Sequence, residues 1–460
     1  MKVANKARAG TERVRQALLP CVLTIAGSDS GGGAGIQADL RAITVLGGFG
    51  MTAITALTAQ NTQGVTGVHP IPPDFVLKQI ETIAADLPIH AAKTGMLATR
   101  EIVDAVAEGV RRFRIEPLVV DPVLVAKGGQ PLLAQEDASH LARTLFPLAR
   151  LITPNLPEAS IFTGMELNGE ADWREAARRL LGEGPQAVLI KGGHGTGPEA
   201  KDLLFDGSDF HVFSQPRYKT LNTHGTGCTY SAAIATLLAR GLSLTEAVGE
   251  AKEFITQAIR FSLSIGKGNG PTNPHAAAFR DAERFRVLQA LERARQQIQA
   301  RPALRELVPE VQSDLAFALP LAKGPEEIAA FPGGISRFPE GLSPAEPPAF
   351  GVSRHLASVI LAAASRHPDI RSATSIRLSD EVLDRARGKG LAVAVFDGTR
   401  EQETRLPEGS SLDWGTLEAI RRSPTRPDLV YNRGEVGREP VIRVLGTDPA
   451  DVLRKLDLLT

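Results

Sequence analysis

The sequence predicts an α/β protein: a mostly parallel sheet with helices on both faces, followed by a second, smaller α/β domain. Three observations carry this. Apolar strand-like runs alternate with helical patterns from Cys21 to about Gly207, which is the signature of a covered parallel sheet. Polar and glycine-rich strings follow those runs: GSDSGGGAG, AQN, KTGM, DPV, TPN and KGGH. Ligands collect at such carboxyl ends. The chain has 460 residues, too many for one ordinary core.

In order, VLTIAG (Val22 to Gly27) reads as the first strand, and Ile36, Leu40, Ile43 and Leu46 mark the helix after it. Met51 to Asn61 reads as one strand, Asp74 to Ala85 as a helix, and Ala91 to Met96 as a buried strand. A helix through Arg112, a strand Leu118 to Asp121, a helix near Ser139 to Phe146 and a strand Ala149 to Asn155 follow. Ala187 to Gly193 is a further strand, and Lys201 to Gly207 begins an antiparallel edge. After Pro274 the character changes. Asp281 to Ala300 is a charged helix with Phe285, Leu288, Leu291 and Ala294 on one side, and Pro339 to Pro348 is a loop. The expected division is a basic extension (1–19), a first domain (20–280), a helical linker (281–301) and a second domain (302–460).

Composition excludes some classes. Formal net charge is zero and 43% of residues are hydrophobic, so there is no broad electrostatic case for nucleic acid or a membrane as partner. No apolar run approaches the ~20 residues of a spanning helix. The basic residues before ALLPCVLTIAG imitate a secretory signal, but the run leads straight into a glycine loop and reads better as a buried strand. Cys21 and Cys228 suggest no disulfide framework, which favours a reducing, cytoplasmic setting.

The most informative string is NTHGTGCTYSAAIATLLARG, Asn222 to Gly241. A turn, Gly225-Thr226-Gly227-Cys228, runs directly into an alanine-rich helix whose first amides have no intrahelical partner. Such a start binds phosphate. By itself the turn is as well explained by ordinary loop geometry. Its company is Gly31 to Gly35 after the first strand, Gln60 and Asn61 at the end of the second, and Asn155-x-x-Glu158 after the fifth.

The strings GSDSGGGAGIQADL, ALTAQNTQGV, KTGML, DPVLVAKGG, LITPNLPEA, LIKGGH and NTHGTGCT, in this order, resemble the bifunctional hydroxymethylpyrimidine kinase/phosphomethylpyrimidine kinase of thiamine biosynthesis, with its ribokinase-like fold. The resemblance covers about Pro20 to His275. It implies ATP and Mg²⁺ as cofactors, and as substrates an aminopyrimidine alcohol and its phosphate; a homodimer is the expected assembly. It implies that Asp39 and Gln60 read the amino-pyrimidine edge, with Gly27 and Met96 framing the ring. Asn155 and Glu158, with Asp121 nearby, would hold Mg²⁺ beside the phosphates as hard oxygen ligands, and Lys191 would neutralise phosphate charge. Cys228 stands where the wider superfamily commonly has an aspartate base. A thiol, ~8.5 unperturbed, can be lowered at a helix start, so Cys228 is expected as base or positioning group, with the Gly225, Thr226, Gly227 and Cys228 amides stabilising the transferred phosphoryl. Ser30 and Gly31 stand where relatives usually have proline and serine, and Lys127-Gly128-Gly129 differs from the usual small-residue turn. The rival reading is a pyridoxal or pyridoxine kinase.

The block from about Leu304 to Leu459 resembles the thiamine-phosphate synthase domain often fused to this kinase. That implies condensation of the pyrimidine diphosphate with thiazole phosphate. Arg354 and His355 at a helix start, and Arg433 and Arg438 on a glycine-rich loop, are the candidate phosphate contacts. Gly334 and Gly398 stand where relatives are basic, Arg337 lies close enough in sequence to substitute, and Asp314 replaces an asparagine. The rival is a non-catalytic domain that senses thiamine phosphate.

Overall fold

A computed structural model describes residues 19–125, 129–130, 132–133, 135–193, 195, 197–310, 313–338, 341–344, 346–396, 413–433 and 440–460. The chain divides into two compact units, Met1–Ala278 and Phe279–Thr460. The basic extension before residue 19 lies outside the described residues.

In the first unit, β1 (Cys21–Ala26), β2 (Phe49–Ile54), β5 (Ala91–Thr94), β6 (Leu118–Val120), β7 (Leu151–Ile152) and β8 (Val188–Lys191) run parallel. An antiparallel edge, β9 (Glu199–Phe205) and β10 (Phe210–Pro216), completes an eight-stranded sheet of order β10-β9-β8-β7-β6-β5-β1-β2. The central strands are mostly apolar, because both of their faces are covered; Thr24 on β1 and Lys93 and Thr94 on β5 are buried exceptions. One face packs on α2 (Pro73–Ala84), α3 (Arg100–Phe113), α4 (Ala138–Leu145) and α6 (Glu170–Leu181). The other packs on α1 (Gly35–Val45), α7 (Thr226–Ala239) and α8 (Leu244–Arg260).

The single strand expected over Met51 to Asn61 is two. β2 stays in the sheet, whereas β3 (Ala56–Asn61) leaves it to pair with β4 (Gly64–Pro70) as a separate ribbon. The break falls at Thr55, whose amide donates to Ala26 and whose hydroxyl donates to the Met96 carbonyl. Those bonds tie the crossing point to the strand ends of the sheet.

In the second unit, α9 (Ala276–Gln299) straddles the division and buries Val287, Leu291, Ala294 and Ile298 in the unit's core. Phe285, expected on that face, is exposed, because the buried stripe runs through 287, 291, 294 and 298 instead. The strands of the main sheet are β11 (Leu315–Ala318), β12 (Ile328–Ala330), β15 (Ala349–Phe350), β16 (Ser372–Arg377), β17 (Val393–Val395), β18 (Leu429–Tyr431) and β19 (Val441–Gly446). Their order is β15-β12-β11-β16-β19-β18-β17, and the pairing is largely antiparallel. Part of the expected 339–348 loop is a strand: β13 (Ile335–Phe338) pairs with β14 (Gly341–Pro344). Helix α10 (Arg354–Ala364) covers one face of the sheet.

Candidate active site

The residues that follow the carboxyl ends of β1, β5, β6 and β7, with Lys191 at the end of β8, line one cavity of about 810 Å³. Gly225 to Cys228, at the start of α7, close its floor. Gly225 has φ +78°, and a Cβ there would meet the Gly33 carbonyl oxygen at 1.9 Å. Only glycine fits. The first glycine loop and the phosphate-type turn are therefore interlocked. No side chain caps α7 and its first turn carries no acid; the Thr226 amide donates to the Thr223 carbonyl, while Gly227 and Cys228 bring helix-start amides of the kind that suit an anion to the cavity wall.

Beside that cradle sits a buried charge cluster. Lys191 Nζ donates to Asp121 Oδ1 at 2.7 Å, and Thr153 donates to the same oxygen at 3.0 Å. Asn155 and Glu158 form a capping box on α5 (Leu156–Thr163): the Glu158 amide donates to Asn155 Oδ1 at 2.9 Å, and the Asn155 amide donates to Glu158 Oε2 at 2.8 Å. The N-x-x-E spacing thus has a structural cause of its own. Both residues line the cavity, but the Asn155 oxygen is already engaged. Burial pushes the Glu158 carboxyl up to about 7, with Lys191 opposing and Asp121 adding to the rise.

Cys228 departs from expectation. Burial pushes its thiol up to about 11, and the nearby Lys93 cation only partly offsets this against Asp39 and Asp121. A helix start lowers a thiol's pKa only where burial does not outweigh it.

Asp39 is a correction. It was expected at the pyrimidine edge, but it is fully buried and does not line the cavity. The register of α1 turns it inward with Ile36, Ala42 and Ile43. There it accepts from Thr24 Oγ1 at 2.6 Å and pairs with Lys93 Nζ at 3.0 Å. Burial works against the Lys93 cation, but Asp39, Cys228 and Asp121 together outweigh it and hold that pKa above the ordinary lysine value.

Gly27, Gln60 and Met96 do meet at the cavity wall. The Gly27 amide donates to the Met96 carbonyl, and a Cβ on Gly27 would lie 3.2 Å from Met96 Sδ. The Gln60 carboxamide lies 3.2 Å from both Thr58 Oγ1 and His224 Nε2. His224 Nε2 is also 2.8 Å from Asp29 Oδ2. The Asp29 carboxylate accepts from the Gly31, Gly33 and Ala34 amides and so shapes the first glycine loop. Burial would raise the Asp29 pKa, yet the His224 ring and those amides together hold it below the usual carboxylate value. The Ser30 hydroxyl donates to the Gln60 carbonyl and accepts from its amide, both at 2.9 Å, so this departure from the usual loop ties it to the ribbon.

Sequence reasoning missed His224, Asp29, Thr58 and Lys93, although all four stand inside quoted motifs. It also missed the pair Lys252–Asp202 (2.6 Å), which lines the cavity near Ile255 and Ile259. Lys127 and Gly128 lie outside the described residues.

In the second unit the candidates are less assembled. Arg354 and His355 begin α10, next to Ser353, which bonds the half-buried Asp314 carboxyl. Burial raises Asp314 to about 6 despite that bond and those from the Phe331 and Leu315 amides. Gly334 has φ +67°, a conformation that strains any side chain there. Arg337 is exposed on β13. Arg433 is exposed and paired with Asp380 at 3.0 Å. Arg438 and Gly398 lie outside the described residues.

An amide cradle, buried cations and a carboxylate wall at the strand ends of this sheet define a kinase of small alcohols with a ribokinase-like fold. Comparison with known proteins specifies it. The sequence pattern of the family described as phosphomethylpyrimidine kinase matches residues 29–273, and that of thiamine-phosphate synthase ThiN matches residues 290–457. The chain belongs to the phosphomethylpyrimidine kinase family and carries a ThiN domain after the kinase domain.

Over 257 residues it is 52% identical to the thiamine biosynthesis bifunctional protein ThiED of Geobacter sulfurreducens, a match spanning 56% of this chain and 52% of that protein. It is 49% identical to the hydroxymethylpyrimidine/phosphomethylpyrimidine kinase of Haemophilus influenzae, over 55% of this chain and 95% of that protein. Among solved structures, the ADP complex of Bacillus subtilis pyridoxal kinase has a TM-score of 0.53 and 40% identity, covering 57% of this chain and 99% of that one. Staphylococcus aureus pyridoxal kinase with AMP-PCP and pyridoxal has a TM-score of 0.53 and 36% identity, covering 56% and 94%. Among the described residues, no helix is long and apolar enough to cross a membrane.

Proposed function

We propose that the first unit moves the γ-phosphoryl group of ATP to the hydroxymethyl group of 4-amino-5-hydroxymethyl-2-methylpyrimidine, and then phosphorylates the monophosphate to the diphosphate. The second unit condenses that diphosphate with thiazole phosphate, releasing pyrophosphate. The observation that carries the kinase reading is the uncapped α7 start facing the same cavity as Gln60 and Met96. An anion cradle and a ring-reading wall share one space. The ADP and AMP-PCP complexes of the pyridoxal kinases support ATP as donor.

In the transfer, the substrate hydroxyl oxygen bonds to the γ-phosphorus while the bond to the β,γ-bridging oxygen breaks. The hydroxyl proton passes to Cys228 in its thiolate form, which becomes the thiol, and the Gly225 to Cys228 turn stabilises the developing charge. Lys191 faces the same charge.

The donor set fits Mg²⁺. Glu158 and Asp121 are carboxylates on one wall, and among the described residues no three His, Cys, Asp or Glu side chains form a ready-made cage. Mg²⁺ held by one or two carboxylates and the nucleotide phosphates needs no more. Bound there, it would neutralise phosphate charge.

Glu158→Gln keeps the capping box, since glutamine serves at that position, but removes a carboxylate. The Mg²⁺ concentration for half-maximal rate should rise about tenfold, with the thermal midpoint of the ligand-free protein at pH 5 little changed. Titrating Mg²⁺ at fixed ATP measures the first, calorimetry the second. The raised Glu158 pKa has its own consequence. The folded state holds a proton that the unfolded chain releases above its ordinary 4.5, so this group's stabilisation is lost as pH rises through about 7. The glutamine variant should lose less stability across that window.

The overall test is a product assay of the full chain with the pyrimidine alcohol, thiazole phosphate and Mg-ATP. Thiamine phosphate is the expected end product. Accumulation of the diphosphate with no pyrophosphate release would leave the kinase and refute the synthase. No phosphorylated pyrimidine at all would refute the kinase.

A further inference from the structure

Lys191 ends β8 and stands directly opposite Asp202 on the antiparallel neighbour β9. Residues so paired share one face of a sheet, with Cβ atoms about 5 Å apart, so Asp202 is the natural counter-charge for Lys191. The Lys191 ammonium nevertheless turns elsewhere. Its Nζ donates to Asp121 Oδ1 at 2.7 Å, and a Cβ on Gly227 would lie 3.5 Å from it. The cation therefore reaches the turn at the start of α7.

Asp202 is engaged on both oxygens. Oδ2 accepts from Lys252 Nζ at 2.6 Å, and Oδ1 accepts from the Gly192 amide at 2.9 Å. The side chains of Lys252 and Asp202 are only 7% and 2% exposed, and both residues line the cavity. Gly192 follows Lys191 directly. The chain there is packed so closely that a Cβ would meet the Lys201 carbonyl oxygen at 2.2 Å and the Trp173 ring at 2.6 Å. Asp202 thus grips the backbone one residue beyond Lys191, while its charge is met by Lys252 from α8. A buried carboxylate stripped of its partner is costly, and the cation across the strand is Lys191.

We propose that Asp202 and Lys252 are positioning residues for Lys191. Asp202 fixes the Gly192 turn, and Lys252 keeps the Asp202 carboxylate from drawing the Lys191 ammonium away from the phosphate turn. The inference rests on the phosphoryl-transfer reading given above, in which Lys191 meets the charge developing on the transferred group.

Steady-state kinetics of the full chain with the pyrimidine alcohol and Mg-ATP test this. Lys252→Met leaves Asp202 free to take Lys191, and kcat should fall about 10²-fold, the scale of a misplaced group in an active site. The KM for the pyrimidine alcohol should move less than about twofold, because Gln60 and Met96 are untouched. Adding Asp202→Asn removes the competing charge yet keeps an acceptor for the Gly192 amide, and this double variant should recover most of the rate. Asp202→Leu with Lys252→Met also leaves no unpaired charge, but it loses the Gly192 bond and should cost about tenfold in kcat. It keeps the inference testable if Lys252→Met alone does not fold. In a Lys191→Ala background neither loss should reappear, since both act through that side chain. Wild-type kcat in Lys252→Met or in the leucine double, an asparagine double no faster than the leucine double, or losses that add in full to that of Lys191→Ala overturn the inference. A wild-type protein that phosphorylates no aminopyrimidine alcohol refutes the proposed function instead.

Discussion

Cys228→Ala should lower kcat for the pyrimidine alcohol by about 10²–10⁴-fold, the range of a lost general base, while leaving nucleotide affinity within about twofold. The thiol lines the cavity at the first turn of α7, and burial holds it up near 11. At neutral pH only a small fraction is thiolate. If the thiolate takes the substrate proton, kcat/KM for the wild type rises with pH across the neutral and mildly alkaline range, towards the thiol's own pKa. The sign follows from the active form being the deprotonated one. In Cys228→Ala that rise should be gone. Initial rates from pH 6 to 10, paired with nucleotide titration by calorimetry, supply both readings. Wild-type turnover in the alanine variant would remove Cys228 from the chemistry. A residual rate with an unchanged slope would assign the pH dependence to another group.

The second large effect belongs to Gly225→Ala. The methyl group meets the Gly33 carbonyl at 1.9 Å in a backbone with φ +78°, so the loops must part. Losing aimed donors costs about 10²–10³-fold each in comparable sites, and turnover should fall by at least that much. Gly241→Ala is the control. Gly241 also has a left-handed φ, +90°, but nothing lies within 4 Å of a Cβ there. It should lose about 1–2 kcal/mol of stability with near-normal kcat. Denaturant unfolding and initial rates on both variants separate strain from the loss of the cradle. Equal kinetic losses in the two would refute the special role of the Gly33–Gly225 contact.

Much of this could be read from the chain. The parallel sheet was legible because strands covered on both faces read as short apolar runs, as in Val188–Ile190 and Leu118–Val120. The turn before α7 stood out only by its company, the glycine loop after the first strand and the Asn155-x-x-Glu158 spacing, because its glycines alone fit an ordinary loop as well. The break at Thr55 was not, because a strand continuing in its sheet and one peeling off as a ribbon share the same residue pattern. Asp39 shows a deeper limit. A carboxylate in a motif looks the same in sequence whether it meets a ligand or a buried lysine, and only the three-dimensional register of α1 distinguishes them. His224 was overlooked for a related reason: its partners, Asp29 and Gln60, are 195 and 164 positions away, and spacing carries no signal over such distances.

Those long separations say something about when the chain becomes active. The Asp29–His224 bond and the Gly33–Gly225 contact join the start of the first unit to a turn near its end. Contacts of such high sequence separation form only after the costly closure of the intervening chain. A nascent chain still short of α7 has no cradle and no fixed Gln60, however well its first strands have paired. Catalytic competence in this unit is therefore a late event in biogenesis, and a chain nicked or truncated before Asn222 should be silent rather than partly active.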